Sequence, residues 1–144
     1  MSPAVSWKRR LRGKCMPMIT SKRAYDPASK TDGTRFLVER LWPRGIKKTD
    51  LPLDAWLPDV GPSTALRQWF SHDPAKWDAF RTRYFRELDA RPEAWAPIAA
   101  AARRGRVTLV FSSRDTVHNN AVALQEYLAG HVGPASRTPR TRGR

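Results

Sequence analysis

The fold of this chain is decided by residues 107–115, which read VTLVFSSRD. Their first five side chains form an apolar run rich in strand formers, as expected of a buried strand. Ser112 to Asp115 end that run with polar side chains. Apolar residues then recur at helical spacing from Val117 to Leu128. The stretch therefore predicts a buried strand, a polar loop and a final helix.

The other elements follow from shorter patterns. Residues 36–38, FLV, predict a strand buried on both faces that ends in the turn WPRG at residues 42–45, and residues 19–25 suggest a weaker first strand. The prolines at positions 52 and 58 limit any helix between them to a short one. Helices are expected over 63–70, from Asp73 to Leu88 and from Pro92 to Arg104, where Pro97 kinks or delays the helix and Gly105 ends it.

A long helical excursion between two buried strands favours a parallel crossover. The predicted fold class is therefore α/β, with a small, mostly parallel sheet covered by helices in a single domain.

The charge of the chain lies mostly at its ends. The net charge is +14, and residues 1–23 and 129–144 contain basic side chains but no acidic ones. This composition predicts a basic, disordered N-terminal extension over 1–17, an α/β domain over 18–130 and a basic disordered tail over 131–144. Met18 stands just before the first predicted strand, which favours a translation start there and a misassigned one upstream.

Several classes of protein are excluded or disfavoured. Cys15 is the single cysteine, so an internal disulfide and a multi-cysteine zinc site are excluded. The longest nearly apolar stretch, residues 95–102, is too short to span a bilayer, and no apolar segment follows the basic N-terminus as in a signal peptide. We expect a cytoplasmic protein without membrane contact.

A candidate ligand site lies after the two buried strands. If those strands are parallel, the loops that follow them meet at the carboxyl edge of the sheet, where open α/β sheets bind ligands. Arginines beside a helix N-terminus form a site for phosphate, sulfate or carboxylate. The expected ligand-binding residues are Arg40, Trp42, Arg44, Gly45, Ser112, Ser113, Arg114 and Asn119.

The expected catalytic residues are His118, His72 and Asp115, and each has a structural alternative. A histidine near neutrality can transfer a proton, with Asp115 orienting it. Asp115 can instead cap the last helix, and His72 with Asp73 can form a helix-cap region. The arginines can pair with Glu39, Asp73 or Asp115 instead of a ligand, and Trp42 can be a packing anchor.

Other chemistries have little support in the sequence. Ser112 and Ser113 lack the glycines of a nucleophile elbow, and neither common glycine-rich nucleotide-binding motif occurs. The pairs Asp115–His118 and His72–Asp73 do not form a strong metal motif. We therefore predict no metal and no cofactor.

Three motifs resemble one family. RLWPRG at residues 40–45, HDP at 72–74 followed by Trp77, and RD at 114–115 followed by HN at 118–119 are similar to the YeaO-like family of uncharacterised bacterial proteins, which contain the domain of unknown function 488. The resemblance covers residues 18–128 and implies a small cytoplasmic α/β protein that begins near Met18, without an established reaction. A related branch of the family has cysteines where this chain has Phe111 and Asn119, so the resemblance does not support thiol chemistry here.

Three classes of function remain open. The favoured one is a domain that binds a phosphate-like or carboxylate ligand, with or without catalysis. The second is a protein that binds nucleic acid non-specifically through its basic ends, and the third is a protein-interaction module without chemistry. The sequence indicates no oligomeric state.

Overall fold

The computed structural model describes residues 19–132, which form a four-stranded sheet and four α-helices. The strands are β1 (Ile19–Arg23), β2 (Thr34–Leu37), β3 (Ala55–Trp56) and β4 (Val107–Phe111). The helices are α1 (Thr64–Phe70), α2 (Trp77–Ala90), α3 (Pro92–Arg104) and α4 (Asn120–Val132). The predicted extension over 1–17, with Cys15, and the tail from residue 133 onward lie outside the described residues.

All four strands are parallel, in the order β1-β4-β2-β3. β4 is central and pairs with β1 from Ile19–Val107 to Arg23–Phe111 and with β2 from Thr34–Val107 to Leu37–Val110. All five residues of β4 are buried, as its continuous apolar run predicted. The predicted α/β class and parallel crossover are confirmed, and the carboxyl ends of β2 and β4 lie side by side.

The two faces of the sheet are covered differently. The larger core joins Phe36, Leu109 and Phe111 to apolar side chains of all four helices. On the opposite face, Leu37 and Val110 pack against Leu51 and its neighbours in the long β2–β3 connection. Helices therefore cover one face and a loop covers the other, which is how so short a chain shields both sides of a parallel sheet.

Several predicted boundaries differ from the observed ones. β1 ends at Arg23, two residues earlier than expected. α3 begins at Pro92 and contains Pro97, so this proline does not delay the helix start. α4 runs to Val132, beyond the expected domain boundary at residue 130, and Val117 lies before the helix and is exposed. The two-residue strand β3 was not predicted, because Ala55 and Trp56 show no pattern of their own and become a strand only by pairing with β2.

Candidate functional site

A cavity of about 780 Å³ opens at the carboxyl edge of the sheet. It lies between the loops after β2 and β4, the end of α1 and the start of α4. Its wall combines four arginines, two acids, two histidines, several amide and hydroxyl groups, and aromatic side chains. The lining residues are Glu39, Arg40, Leu41, Trp42, Arg44, Pro62, Arg67, Gln68, Phe70, Ser71, His72, Phe80, Ser112, Ser113, Arg114, Asp115, His118, Asn119 and Asn120.

Every residue that the sequence placed in the site lines this cavity except Gly45. Gly45 has φ +79° and no atom within 4 Å of the Cβ that a side chain would add, so it serves the turn and does not contact the cavity. Arg67 and Gln68 were missed. They lie on α1, far in sequence from both predicted loops, and no local motif marks them. Only the packing of α1 against α2, with Phe70 stacked on Phe80, brings them to the cavity.

Three hydrogen bonds fix the geometry of the cavity floor. The carboxylate of Glu39 accepts from the backbone N–H of Ser112 at 3.1 Å and from its Oγ at 2.7 Å, which joins the loops after β2 and β4. The side-chain amide of Asn120 donates to the carbonyl of Val38 at 2.7 Å, which ties the first turn of α4 to the end of β2. The two loops and the helix start are therefore held as one unit.

The alternative pairing of the predicted arginines with Glu39, Asp73 or Asp115 is not observed among residues 19–132. Glu39 binds Ser112, and Asp73 caps a short 3₁₀ turn by accepting from the N–H of Ala75 at 3.0 Å. Asp115 is bonded to residues of its own loop. Asp73 and Asp115 accept from backbone N–H groups two or three residues further along the chain, and Glu39 accepts from Ser112 in the opposite loop.

Arg40 is the arginine of the cavity with an acidic neighbour. Its Nη1 lies 3.9 Å from Asp59, whose side chain is 70 % exposed, and its Nε donates to the carbonyl of Pro62 at 2.7 Å. An ion pair of this length with so exposed a partner is weak. The guanidinium of Arg40 is held mainly by the carbonyl, and most of its positive charge stays uncompensated.

The guanidinium groups of Arg44, Arg67 and Arg114 make no hydrogen bond or ion pair with another residue in the range 19–132. The Nε of Arg67 is buried without a partner. Four arginines thus face two carboxylates around the cavity, and neither carboxylate binds an arginine. Arg44 and Arg114 are exposed and Arg67 is half-buried, so water solvates part of this charge, and the remaining repulsion between like charges is unfavourable.

Asp115 and His118 form a hydrogen-bonded pair at the cavity. One carboxylate oxygen accepts from the N–H groups of His118 and Val117, each at 2.9 Å, and the other lies 3.0 Å from His118 Nδ1. These backbone N–H groups, with the imidazole, hold the pKa of Asp115 below its usual value. The imidazole also packs edge-on against Trp77, with the ring centroids 5.3 Å apart. Its orientation is therefore fixed from two sides.

The predicted cap of the last helix is a different residue. The Oδ1 of Asn119 accepts from the N–H of Val122 at 2.9 Å and so caps α4, while Asp115 organises the turn before it. The interpretation of Asp115 as the helix cap is wrong by one turn. The side-chain amide N–H of Asn119 also donates to the carbonyl of Asp115 at 2.8 Å, so both ends of this amide are hydrogen-bonded. The residue is 3 % exposed.

His72 reaches the cavity from a strained backbone. Ser71 and His72 have φ of 47° and 58°, and both are residues other than glycine in the left-handed region. Two such residues in succession end α1 sharply and turn the chain toward Asp73. Strain of this kind persists where surrounding contacts fix the conformation, and it is frequent at ligand sites.

The serines of the site are occupied. Ser112 Oγ donates to Glu39, and Ser113 Oγ accepts from the N–H of Asp115 at 3.1 Å. Neither hydroxyl bonds to His118 within the described part of the chain, so the site lacks a serine–histidine pair. Arg23, at the end of β1, donates to the carbonyls of both serines at 2.9 and 3.3 Å and adds a further positive charge beside this loop.

Trp42 is a packing anchor that also lines the cavity. Its indole N–H donates to the carbonyl of Ile46 at 2.6 Å, and its ring packs edge-on against Trp56 with centroids 5.5 Å apart. It therefore anchors the loop after β2 and also lines the cavity.

Residues 19–132 contain no group of three histidine, cysteine or acidic side chains that could hold a metal ion. None of their helices is long and apolar enough to cross a membrane.

Fold and site together define a small parallel α/β domain with an arginine-lined cavity at the carboxyl edge of its sheet. Residues 18–139 match the model of a family described as the inactive subclade of DUF488-N3. The chain belongs to this family of the domain of unknown function 488, as the three sequence motifs indicated.

Two relatives support the same assignment. The chain is 44 % identical over 110 residues to the uncharacterised protein YeaO of Escherichia coli (strain K12), covering 76 % of this chain and 96 % of the relative. It is 38 % identical over 108 residues to the uncharacterised protein Mb3100c of Mycobacterium bovis, covering 75 % and 91 %. No solved structure matches the chain significantly.

Proposed function

We propose that this domain binds a small anionic ligand, with a phosphate or carboxylate group, in the arginine-lined cavity. The observation that supports this proposal is the charge of the cavity wall. Arg44, Arg67 and Arg114 line one cavity without an acidic partner among the described residues, while Glu39 and Asp115 are bonded elsewhere. A phosphate or carboxylate accepts several guanidinium hydrogen bonds at once and would offset this repulsion.

The start of α4 favours the same ligand. The first N–H groups of a helix carry a partial positive charge, and Asn119 and Asn120 place that end of α4 against the cavity. The side chains of Gln68 and Ser71, which also line the cavity, add polar groups that orient a polar ligand.

Binding without turnover is the form of this proposal that we favour. The description of the subclade as inactive supports it. Phe111 is a buried core residue and Asn119 is a helix cap, so the two positions that hold cysteines in a related branch of the family offer no nucleophile here. Ser112 and Ser113 are engaged with Glu39 and Asp115 instead of with a base. His118 then acts as a fixed hydrogen-bonding group toward the ligand.

One observation favours catalysis as a second candidate. The contact of Asp115 with Nδ1 leaves Nε2 of His118 as the nitrogen that could accept a proton, the arrangement of a general base. An enzyme of this kind would activate water against an ester of the bound anion. Incubation with p-nitrophenyl phosphate separates the two candidates. Release of nitrophenolate that is lost in His118→Asn would favour catalysis, and absence of release supports binding alone.

The binding proposal is tested by thermal melts in sodium phosphate and in sodium chloride of equal ionic strength. A ligand at ten times its Kd stabilises the folded state by about 1.4 kcal/mol. For a domain of this size that shift corresponds to a rise in Tm of roughly 4–6 °C. We expect this rise in the wild type and its loss in Arg114→Ala.

Arg103→Ala is the matched control, because Arg103 is an exposed arginine of α3 that does not line the cavity. It removes the same charge and should retain the full rise in phosphate. An equal rise in all three proteins would reflect a general salt effect, and no rise in the wild type would leave the arginine cluster without a ligand. Either result contradicts the proposal.

A further inference from the structure

The exposed large hydrophobic side chains of the described residues all lie at one edge of the sheet. They are Tyr25, Leu41 and Val117, with exposed fractions of 45 %, 64 % and 59 %. Tyr25 follows β1, Leu41 follows β2 and Val117 follows β4. Because the strands are parallel, the three loops that carry these side chains are at the carboxyl edge, beside the arginine cavity.

Each of these side chains is tied to the cavity by its neighbours. Leu41 lines the cavity between Arg40 and Trp42. Val117 lies between two residues that line it, Asp115 and His118. The Oη of Tyr25 donates to the carbonyl of Arg44 at 2.8 Å.

Exposed apolar side chains scattered singly need no explanation, but a group around one cavity marks an interaction surface. Val117 belongs by spacing to the apolar stripe of the last helix, yet it lies outside α4 and points to solvent. Leu41 stays exposed, although the indole of the next residue, Trp42, anchors the same loop.

We propose that the rim of the arginine cavity, formed by Leu41 and Val117, docks a segment of a partner protein. An acidic side chain of that segment enters the cavity toward Arg44 and Arg114, and the apolar residues next to it in the segment lie on Leu41 and Val117. The proposal rests on the proposed anion site and specifies its ligand as an acidic residue, a glutamate or a phosphoserine, within a peptide. Charge complementarity selects this occupant, since the cavity wall has an excess of positive charge.

The other large anions fit the rim less well. Leucine and valine have no flat face on which a nucleic acid base can stack, and one face of the Tyr25 ring is covered by the guanidinium of Arg23 at 4.8 Å. A membrane-binding loop inserts a broad apolar face, whereas Val117 stands between Thr116 and His118, and Leu41 precedes a Trp42 that packs inward against Trp56. A peptide with alternating acidic and apolar residues matches both features.

An array of short immobilised peptides tests the proposal on the full-length protein. The central residue is phosphoserine, glutamate or alanine, and the flanking positions are either leucine or serine. We expect the wild type and Arg103→Ala to prefer an acidic centre with leucine flanks. In Val117→Ser and Leu41→Ser, the ratio of binding to leucine-flanked over serine-flanked peptides should fall roughly tenfold, because each substitution removes apolar contact area.

Val117→Ser also separates this proposal from the proposed anion site. Val117 is exposed and does not line the cavity, so this variant should melt as the wild type does and keep the phosphate-dependent rise in Tm. A phosphate response together with equal binding of leucine-flanked and serine-flanked peptides would overturn the docking proposal and leave the anion site intact. If phosphate does not raise the Tm of the wild type, the proposed anion site is itself contradicted. Val117-dependent binding of a single-stranded oligonucleotide or of vesicles with anionic lipids, in preference to the peptides, would assign the rim to that partner and overturn the proposal.

Discussion

Glu39 bridges the two loops of the candidate site through Ser112. Its carboxylate accepts from both the N–H and the Oγ of Ser112, 73 residues away in the chain. This pair joins the ends of β2 and β4, and it engages a carboxylate of the cavity wall that would otherwise compete with a ligand for the arginines. Electrostatic preparation of the cavity and its shape thus depend on the same contact.

Glu39→Gln should lower the free energy of unfolding by about 1–2 kcal/mol, because it weakens two charge-assisted hydrogen bonds. Ser112→Ala should cost a similar amount, and the double variant should cost much less than the sum of the two. Urea unfolding of the four proteins measures this coupling. Glu93→Gln, at an exposed glutamate of α3, is the control and should change stability by less than about 0.5 kcal/mol. Additive effects of Glu39→Gln and Ser112→Ala would contradict the bridge.

A buried ion cluster away from the cavity should contribute strongly to stability. Asp32 accepts from Arg35 Nη1 at 2.6 Å, from Lys22 Nζ at 3.1 Å and from the N–H of Ser29 at 2.9 Å, and both Asp32 and Arg35 are buried. Asp32→Asn leaves the guanidinium of Arg35 buried without its counter-charge, so we expect a loss of about 3–5 kcal/mol in urea unfolding. Asp78 pairs with Arg81 through a carboxylate whose side chain is 91 % exposed, so Asp78→Asn should cost less than about 1 kcal/mol. Equal costs for the two variants would show that burial does not decide the strength of these pairs.

The contribution of Asp115 should depend on pH. The N–H groups of His118 and Val117 lower its pKa in the folded chain. A lowered folded-state pKa means that the stabilisation is complete above the unfolded-state pKa, near about 3.9, and is lost as the pH falls through the folded-state value. Asp115→Asn should therefore cost about 1 kcal/mol at neutral pH and progressively less below about pH 4.

Urea unfolding of wild type and Asp115→Asn across this pH range makes the comparison. Asp50→Asn, at an exposed carboxylate for which no side-chain contact is seen within residues 19–132, is the control and should show no such trend. A cost for Asp115→Asn that stays constant into acid would assign its effect to the shape of the side chain and not to its charge.

Gly33 should tolerate no side chain. Its φ is +70°, and a Cβ at this position would overlap the carbonyl oxygen of Arg106, which accepts from the N–H of Thr34 at the start of β2. Gly33→Ala combines backbone strain with displacement of β2 from β4, so we expect a loss of at least about 3 kcal/mol. Gly130→Ala in α4 is the control: nothing lies within 4 Å of its added Cβ, and it should raise stability by about 0.5–1 kcal/mol. Similar melting of Gly33→Ala and wild type would refute the close approach.

Any binding of nucleic acid should come from the basic ends and be independent of sequence. In a variant with glutamine in place of Arg137, Arg140, Arg142 and Arg144, affinity for duplex DNA should depend less on salt. The slope of log K against log salt concentration should be smaller by as much as about 3.6 if each arginine contacts one phosphate. Arg114→Ala should reduce the slope by no more than about 0.9. Anisotropy titrations with two unrelated duplexes make the measurement. A strong preference for one duplex that is lost in Arg114→Ala would place nucleic acid in the cavity instead.

The sequence alone determined the elements whose pattern is local. The apolar run of β4, the turn at Gly45 and the apolar stripe of α2, formed by Trp77, Phe80, Tyr84 and Leu88, each depend on residues within a short stretch of the chain. It also determined that the loops after β2 and β4 meet, because a helical excursion between two buried strands favours a parallel pair. That topological step brought together the expected residues of these two loops except Gly45, whereas His72, which follows α1, reaches the cavity by another route.

Only the tertiary structure decided which groups pair and which side chains remain free to bind. The sequence offered Glu39 and Asp115 as partners of the arginines. In the fold, the carboxylates of both residues accept from backbone N–H groups instead. Distance and direction between the atoms decide which hydrogen bonds form, and the positions of residues in the chain do not give these quantities. Arg67 joined the cavity through the packing of α1, β3 formed because β2 offered an unpaired edge, and Val117 was left exposed because Asn119 and not Asp115 capped the last helix. Periodicity reports which face of an element is apolar, whereas the identity of a partner is a property of the assembled fold.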